Sequence, residues 1–358
     1  MKIVQIFPGK VWGGAEQFII DLSMTLQAQG HQVLFFAHDC PAINNRLRGV
    51  IPYTTLPFRF SLDLSSAKAL AKVIRTEHPD IIHVHDSKFV PLVSLAKRMS
   101  GCEVKLVFTR HIARGSKVNP FFRKAFKQLH KIIFVSELGK KMWHEANPWM
   151  PEEKCSVVHN SIPPMVEGEC ESLRQKYNVP SDTPIIAFAG RVRRSKGCEV
   201  IVKALGELRN LPFQMVFIGT CKPKDYDQAV LQLAEECGIK DRVHFYGFSD
   251  RARLLIQGAE IGVAPSIVRE ALGLSPMEFM QVGRCIITTN NGAQPEYITN
   301  EETGLLVSPR SVEELTTAFK KVLEDIAYRE RLGANAKRYF DEHLSYDKFM
   351  AKILKCYE

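Results

Sequence analysis

Two carboxylates and a run of small residues carry the chemistry most legible in this chain of 358 residues. Glu270 and Glu278 are separated by seven residues, among them Leu272, Gly273, Leu274, Ser275 and Pro276. The order Ser275-Pro276-Met277-Glu278 predicts a helix start, with Ser275 as N-cap, Pro276 at the first helical position and Glu278 closing a capping box. The helix then covers 277–282, stops at Gly283, and gives way to an apolar strand over 285–288. Backbone N–H groups at such a terminus suit a phosphate, and carboxylates accept hydrogen bonds from sugar hydroxyls. Acids flanking a phosphate seat therefore point to a nucleotide-sugar. Spacing alone leaves another reading open, in which Glu278 serves only the capping box and Glu270 is an exposed loop acid.

Other residues add to this constellation. Gly190, Arg191, Lys196 and Gly197 leave a strand over 185–189. A glycine there lets backbone approach a ligand. Arg191 offers a bidentate donor and Lys196 a point charge; the alternative is a solvated basic loop. Gly13 and Gly14, in the run Phe7-Pro8-Gly9-Lys10-Val11-Trp12-Gly13-Gly14-Ala15-Glu16, could bring N–H groups to a diphosphate at a helix start. The run is not GxGxxG, so a dinucleotide reading is poor and a tight turn competes with the phosphate one. His83 and His85 alternate onto one face of a strand. Two histidines without a third ligand make a poor zinc site, so they read as pocket-lining or core residues and no metal is expected. His111, at another strand end, could hydrogen-bond a sugar hydroxyl or the reaction centre. Over 119–129, Phe122 and Phe126 stand four apart beside Arg123, Lys124 and Lys127. As a helix this suits an anionic membrane surface, unless the phenylalanines face the core. Stacking on nucleic acid ranks last, because no nucleic-acid module is recognisable.

The elements that must position these residues alternate. Strands over 2–7, 32–38, 81–85, 104–109 and 132–135 are interleaved with helices over 15–29, 66–77, 90–99 and 138–146. A stretch rich in proline and acids, 159–184, interrupts the pattern. It restarts with strands over 185–189, 214–218, 243–246, 261–264 and 285–288 and helices over 198–208 and 228–237. Helices over 312–324, opened by a Ser311–Glu314 capping box, 328–340 and 346–356 complete the chain. Short apolar strands between amphipathic helices imply parallel sheets covered on both faces. Ligands of such sheets bind beyond the C-terminal strand ends.

Composition narrows the class. Hydrophobic content of 45% and charged content of 24% are those of a globular protein. The nine cysteines form no CxxC pair, which argues for a reducing compartment and against a disulfide framework. No apolar run approaches the ~18 residues of a membrane span, and the chain enters a strand-like run at Lys2, so a cytoplasmic protein is expected. The net charge of +9 is uneven. Residues 1–165 hold 22 Lys and Arg against 12 Asp and Glu, whereas 166–358 hold 26 against 27. The first half should face something anionic: a membrane surface, a lipid phosphate or nucleic acid.

In joint order and spacing the motifs resemble the retaining glycosyltransferases of family 4, the group 1 glycosyltransferases, over nearly the whole chain. Gly13-Gly14-Ala15-Glu16 is similar to the family's first loop, and Gly190-Arg191 with Lys196-Gly197 to its diphosphate clamp. Glu270 and Glu278 resemble its Glu-x7-Glu signature. Asn291-Gly292-Ala293-Gln294-Pro295-Glu296 and Thr303-Gly304-Leu305-Leu306-Val307 resemble the segments that follow. Two departures stand out: Ile218-Gly219-Thr220-Cys221 lacks a second glycine, and Ser161 replaces the usual glycine of the interdomain turn. The resemblance implies an α/β GT-B fold, two Rossmann-like parallel-sheet domains facing an interdomain cleft. An acceptor-side domain would take 1–164 plus 346–358, and a nucleotide-sugar domain 165–345. Arg191 and Lys196 would neutralise the leaving diphosphate, Glu278 hold the ribose and Glu270 the donor sugar. Backbone N–H groups of Leu272, Gly273 and Leu274 would follow the sugar and phosphates. Gly13 and Gly14 would approach the diphosphate, His111 the sugar, and Phe248 the base. No divalent metal and no enzymatic nucleophile are implied. The donor would be a UDP- or GDP-sugar. The acceptor would be a cell-envelope glycan, lipopolysaccharide or other polysaccharide, or its lipid-linked precursor. The enzyme would be cytoplasmic, and its basic first half leaves peripheral contact with the cytoplasmic face of the membrane open. A nucleotide-sugar epimerase on the same fold, or a non-catalytic binding protein, are the competing classes.

Overall fold

The computed structural model describes residues 1–7, 9, 13–165 and 168–358, with only the backbone of Ala42 and Arg46. Pro8, Lys10, Val11 and Trp12 of the first glycine-bearing loop lie outside the described residues. The chain forms two compact units, Met1–Asn160 with Asp347–Glu358, and Ser161–Tyr346.

In the first unit seven strands form one parallel sheet: β1 (Lys2–Phe7), β2 (Gln32–His38), β3 (Tyr53–Leu56), β4 (Ile81–Val84), β5 (Lys105–Arg110), β6 (Lys131–Phe134) and β7 (Cys155–Val157). Their order is β3-β2-β1-β4-β5-β6-β7. β1, β4 and β6 are near-continuous apolar runs because both faces of a parallel strand are covered. β3 and β7, absent from the expected strands, are short, partly polar edges whose composition carries little strand signal. In the second unit six strands do the same: β8 (Ile185–Ala189), β9 (Gln214–Ile218), β10 (Val243–Gly247), β11 (Ile261–Ala264), β12 (Cys285–Thr289) and β13 (Leu305–Val307), in the order β10-β9-β8-β11-β12-β13. Each order reverses once, beside β1 and β4 and beside β8 and β11. Connections leaving those neighbours diverge and open a crevice at the strands' C-terminal ends.

Several helices start on a side-chain cap that the sequence supplies. Asp63 accepts from the backbone of Ser65 and Ser66 to start Leu64–Glu77, and Ser136 accepts from Gly139 to start Glu137–Ala146. Ser311 accepts from Glu314 N at 3.1 Å, while the Glu314 carboxylate reaches back to Ser308 N at 2.6 Å rather than to Ser311. Two expectations fail. The aromatic and basic stretch is a single 3-10 turn, Pro120–Phe122, and a five-residue helix, Arg123–Lys127, not one long helix. The helix that starts between the two acids is Leu274–Gln281 and contains Glu278, with Gly273 as N-cap and no side-chain cap. Ser161, the departure at the turn, is buried and its hydroxyl donates to the Leu344 carbonyl.

The last helix, Tyr346–Tyr357, completes the first unit. Phe349 meets Phe18 edge-on at 5.3 Å between ring centroids, and the buried Tyr357 hydroxyl lies 2.8 Å from His83 Nδ1. Among the described residues, no helix is long and apolar enough to cross a membrane.

Candidate active site

The β8–β11 crevice gathers most of the charged candidates. β8 ends in Gly190, whose φ of +147° suits glycine, and the loop beyond it carries Arg191 and the 3-10 turn Arg194–Lys196. Gly219, at the end of β9, faces Gly190 so closely that a Cβ would run into the Gly190 carbonyl. Gly197, at φ +81°, likewise has the Pro265 carbonyl where a Cβ would stand. These contacts clasp the loop after β8 to the loop after β11, and Ile267 N donates to Ser195 O at 2.9 Å. The clasp brings Lys196 Nζ to 2.6 Å from Glu270 Oε1, and Ser266 Oγ donates to the same oxygen at 2.6 Å. The two charged side chains are 25% and 20% exposed, so Glu270 is not the exposed loop acid of the alternative reading. Burial pushes its carboxyl up. The Lys196 charge, the hydrogen bonds from Lys196 and Ser266, and Arg193 outweigh that and hold it below the usual range. Arg191 is exposed and, among the described residues, joins no ion pair.

A second layer fixes Glu270 and the helix start behind it. Gly292 lies against the Glu270 backbone where a Cβ would collide, and Ala293 N donates to Glu270 O at 3.2 Å. The Tyr297 hydroxyl, fully buried, lies 2.9 Å from the carbonyls of both Leu272 and Gly273. It holds Gly273 at φ +86°, so the helix begins at Leu274. This is why the expected capping box is not used. Ser275 is already inside the first turn, its hydroxyl buried without a partner among the described residues. Glu278 sits one turn further in, half-buried. With no side-chain cap, the first-turn N–H groups keep their partial positive charge for a ligand. Phe248, directly after β10, is 50% exposed. The positioning roles of Gly292 and Tyr297 are not readable from spacing, because each acts on backbone more than twenty residues away, and that of Ser266 is a four-residue side-chain contact that a loop sequence does not announce.

The β1–β4 crevice of the first unit holds a cavity of about 260 Å³, lined among others by Glu16, Ile19, His85, Asp86, Arg110 and His111. Gly13 is the extended N-cap of the helix Gly14–Ala28, again without a side-chain cap. The histidines form two chains. His83 is core: its ring nitrogens meet the Tyr357 hydroxyl and Thr109 Oγ1, at 2.8 and 2.7 Å. His85 Nε2 lies 2.8 Å from Gln5 Oε1, and its Nδ1 lies 3.1 Å from His111 Nε2. Burial brings the His83 pKa down to about 3 and that of His111 to about 4, and lowers His85 well below its ordinary value, so all three are neutral near pH 7. With the Gln5 amide oxygen turned to His85, an orientation that leaves Gln5 Nε2 without a partner among the described residues, the proton belongs on His85 Nε2. His85 Nδ1 is then an acceptor, His111 Nε2 must donate to it, and His111 Nδ1 keeps a bare lone pair. That atom is buried and, among the described residues, has no partner. Among the described residues no group of three or more His, Cys, Asp or Glu could hold a metal ion.

Arg110, absent from the sequence-derived candidates, is 2% exposed. Its guanidinium stacks on Trp143 at 4.5 Å and donates to Arg114 O and Ser116 Oγ at 2.6 and 3.0 Å. Burial, and then Arg114, bring its pKa down to about 10 against the opposing charge of Asp86. The membrane-facing assignment of Phe126 is corrected: it is 3% exposed in the core, with Trp143 at 5.8 Å. Phe122 is partly buried against the same core. Arg123, Lys124 and Lys127 are exposed, and the projecting aromatic is Phe121, 76% exposed.

Comparison with known proteins covers both units. Residues 12–165 match Glycosyltransferase Family 4 and residues 170–339 match Glycosyl transferases group 1. A glycosyltransferase of Methanocaldococcus jannaschii is 25% identical, over 100% of this chain and 98% of its own. The N-acetyl-alpha-D-glucosaminyl L-malate synthase of Bacillus anthracis is 24% identical over 96% and 93%. The lipopolysaccharide 1,2-N-acetylglucosaminetransferase of Salmonella typhimurium is 26% identical over 58% and 56%. Among solved structures, a glycosyltransferase from Rickettsia africae superposes with a TM-score of 0.87 at 23% identity, covering 99% and 97% of the two chains. Anabaena HepE in complex with UDP and glucose gives 0.80 at 19% identity, covering 99% and 98%.

Proposed function

The chain belongs to the group 1, family 4 glycosyltransferases and has the GT-B fold, and from that premise we propose that it transfers a sugar from a UDP- or GDP-sugar to a cell-envelope glycan or its lipid-linked precursor, with retention. The observation that carries this reading is the Lys196–Glu270–Ser266 cluster in the loops that also carry the exposed Arg191 and the uncapped helix at Leu274. A diphosphate entering the crevice competes for Lys196. As the ammonium turns to phosphate, Glu270 is released to accept hydrogen bonds from donor-sugar hydroxyls. Glu278 takes the ribose and Phe248 the base. The acceptor hydroxyl attacks the anomeric carbon on the face the diphosphate leaves, and a departing phosphate oxygen takes its proton. Negative charge growing on that oxygen is met by Arg191, Lys196 and the first-turn N–H groups, so the catalytic gain is electrostatic and calls for no divalent metal. In the first unit, the helix start at Gly13 and Gly14 and the lone pair on His111 are the ligand-directed features. The complex of HepE with UDP and glucose supports the donor class, and the lipopolysaccharide-acting relative supports the acceptor class. The basic first half, with Phe121, Arg123, Lys124 and Lys127 exposed, supports contact with an anionic membrane surface.

The direct test is thermal unfolding with UDP, GDP, ADP and their sugars, because a ligand of the native state raises its melting temperature. A rise with a uridine or guanosine diphosphate, lost in Arg191→Ala, is expected. No rise with any nucleotide would sink the donor assignment. Sedimentation with vesicles of increasing anionic-lipid content tests the membrane contact, which no dependence on charge would remove.

A further inference from the structure

A second cavity of the first unit, about 170 Å³, has a polar wall of Ser61, Ser87, Lys88, Ser116, Lys117 and Asn119 over an apolar floor that includes Trp143. The wall comes from three segments: the bend before the helix Leu64–Glu77, the 3-10 turn Ser87–Phe89 after β4, and the loop after β5. No carboxylate lines it. The nearest acids in sequence are turned to backbone amides: Asp63 accepts from Arg59, Ser65 and Ser66, and Asp86 from Lys88 N. Among the described residues neither Lys88 nor Lys117 joins an ion pair; Lys88 Nζ lies 5.4 Å from the Phe89 ring centre. Behind the wall, Arg110 donates to Ser116 Oγ at 3.0 Å. Its guanidinium is buried, its Nε has no partner, and no carboxylate lies within ion-pair range among the described residues.

Two exposed lysines thus share this wall with hydroxyls and one amide, the buried Arg110 stands behind Ser116, and no carboxylate lines the cavity; Asp86, which lines the neighbouring cavity with Arg110, acts on Arg110 without pairing with it. Such a set repels metal ions, and a neutral sugar would gain little from it, since sugar hydroxyls also need acceptors. A buried, unpaired cation is costly until an anion meets it. Lysine ammonium groups and serine hydroxyls are suited to phosphate oxygens as point charges and donors. We propose that this cavity seats a phosphate monoester borne by the acceptor, with Lys88 and Lys117 meeting its charge, the serines and Asn119 its oxygens, and Arg110 polarising Ser116 from behind. The inference rests on the reading that the first unit takes the acceptor. The same phosphate could belong to a water-soluble acceptor or to a lipid. Phe60 and Phe121, adjacent in sequence to the lining residues Ser61 and Phe122, are 56% and 76% exposed, which would suit contact with a lipid chain.

The experiment uses the full chain with UDP present to occupy the donor site, and compares it with Lys88→Gln/Lys117→Gln, checked for unchanged melting temperature. One arm titrates inorganic phosphate and follows 31P line broadening. The other sediments the protein with phosphatidylcholine vesicles doped with phosphatidic acid or, as a diester control, with phosphatidylglycerol. Phosphate binding that weakens roughly tenfold or more in the double variant, with no preference for phosphatidic acid, is expected for a soluble acceptor. A preference for phosphatidic acid that the double variant loses identifies a lipid-borne one. If neither arm depends on the two lysines, the seat is refuted. The UDP-induced melting shift is read in the same samples, so a failed donor assignment shows separately from a failed phosphate seat.

Discussion

Replacing Lys196 with methionine keeps the apolar stem and deletes the charge, and its effects can be followed through Glu270. In the native chain burial raises the Glu270 pKa, but the Lys196 charge and the hydrogen bonds from Lys196 and Ser266 bring it below the ordinary value. A depressed carboxylate adds stability above its unfolded pKa, and that stability is lost as pH falls through the folded value. Without Lys196, burial dominates, with Ser266 and the more distant Arg193 as the remaining help. The folded pKa then rises, and the ionised carboxylate costs stability near neutrality until it protonates. Removing one partner of a fully buried pair costs ~3–5 kcal/mol. This pair is 25% and 20% exposed, so ~1–3 kcal/mol is expected near pH 7, shrinking as pH falls toward about 4. The loss of charge facing the leaving diphosphate should cost about 3–4 kcal/mol more in the transition state, a hundred- to thousandfold in kcat. Urea unfolding across pH gives the first quantity and initial rates of sugar transfer the second. Glu270→Gln in the Lys196→Met background should restore most of the stability and none of the rate. A stability deficit that does not vary with pH, together with near-normal kcat, would refute the electrostatic account of this pair.

Three further outcomes are expected. Gly219→Ala drives a methyl into the Gly190 carbonyl at φ +145° and should destabilise by ~2–4 kcal/mol, visible in melting temperature, with UDP binding weakened through the displaced Gly190 loop. His83, His85 and His111 are held neutral by burial while unfolded histidines protonate below about pH 6.5, so stability should fall as pH drops from there toward about 4. His111 alone should contribute on the order of 3 kcal/mol; 15N imidazole shifts should report His111 protonated on Nε2, and Gln5→Leu should relax that tautomer. Phe126→Ala should cost ~3–5 kcal/mol of stability, whereas Phe121→Ala should leave stability within ~0.5 kcal/mol and weaken vesicle sedimentation.

The sheets were largely legible because a parallel strand buried on both faces is mostly apolar, as in Ile185–Ala189. Three short edge strands did not register: Tyr53–Leu56 and Cys155–Val157 are partly polar, and Leu305–Val307, though apolar, is only three residues long. The acids, cations and glycines of the second unit were visible as residue types. Their pairing was not: Lys196 and Glu270 are 74 positions apart, and only the clasp of two loops joins them. The capping box at Ser275 obeyed local rules and lost to a non-local one, the Tyr297 hydroxyl holding two carbonyls 25 and 24 residues upstream. The Phe122–Phe126 spacing correctly announced an apolar face, but periodicity does not tell whether such a face meets lipid or the ring of Trp143.

The helix Tyr346–Tyr357 carries an implication for biosynthesis. A ribosome delivers β1 to β7 early, yet the residues that cover Phe18 and His83 come only with the closing stretch of the chain. Until then the nascent first unit has an open apolar seam, while the other unit already has everything it needs to mature. A premature stop anywhere in 161–346 would therefore harm the part of the molecule translated first.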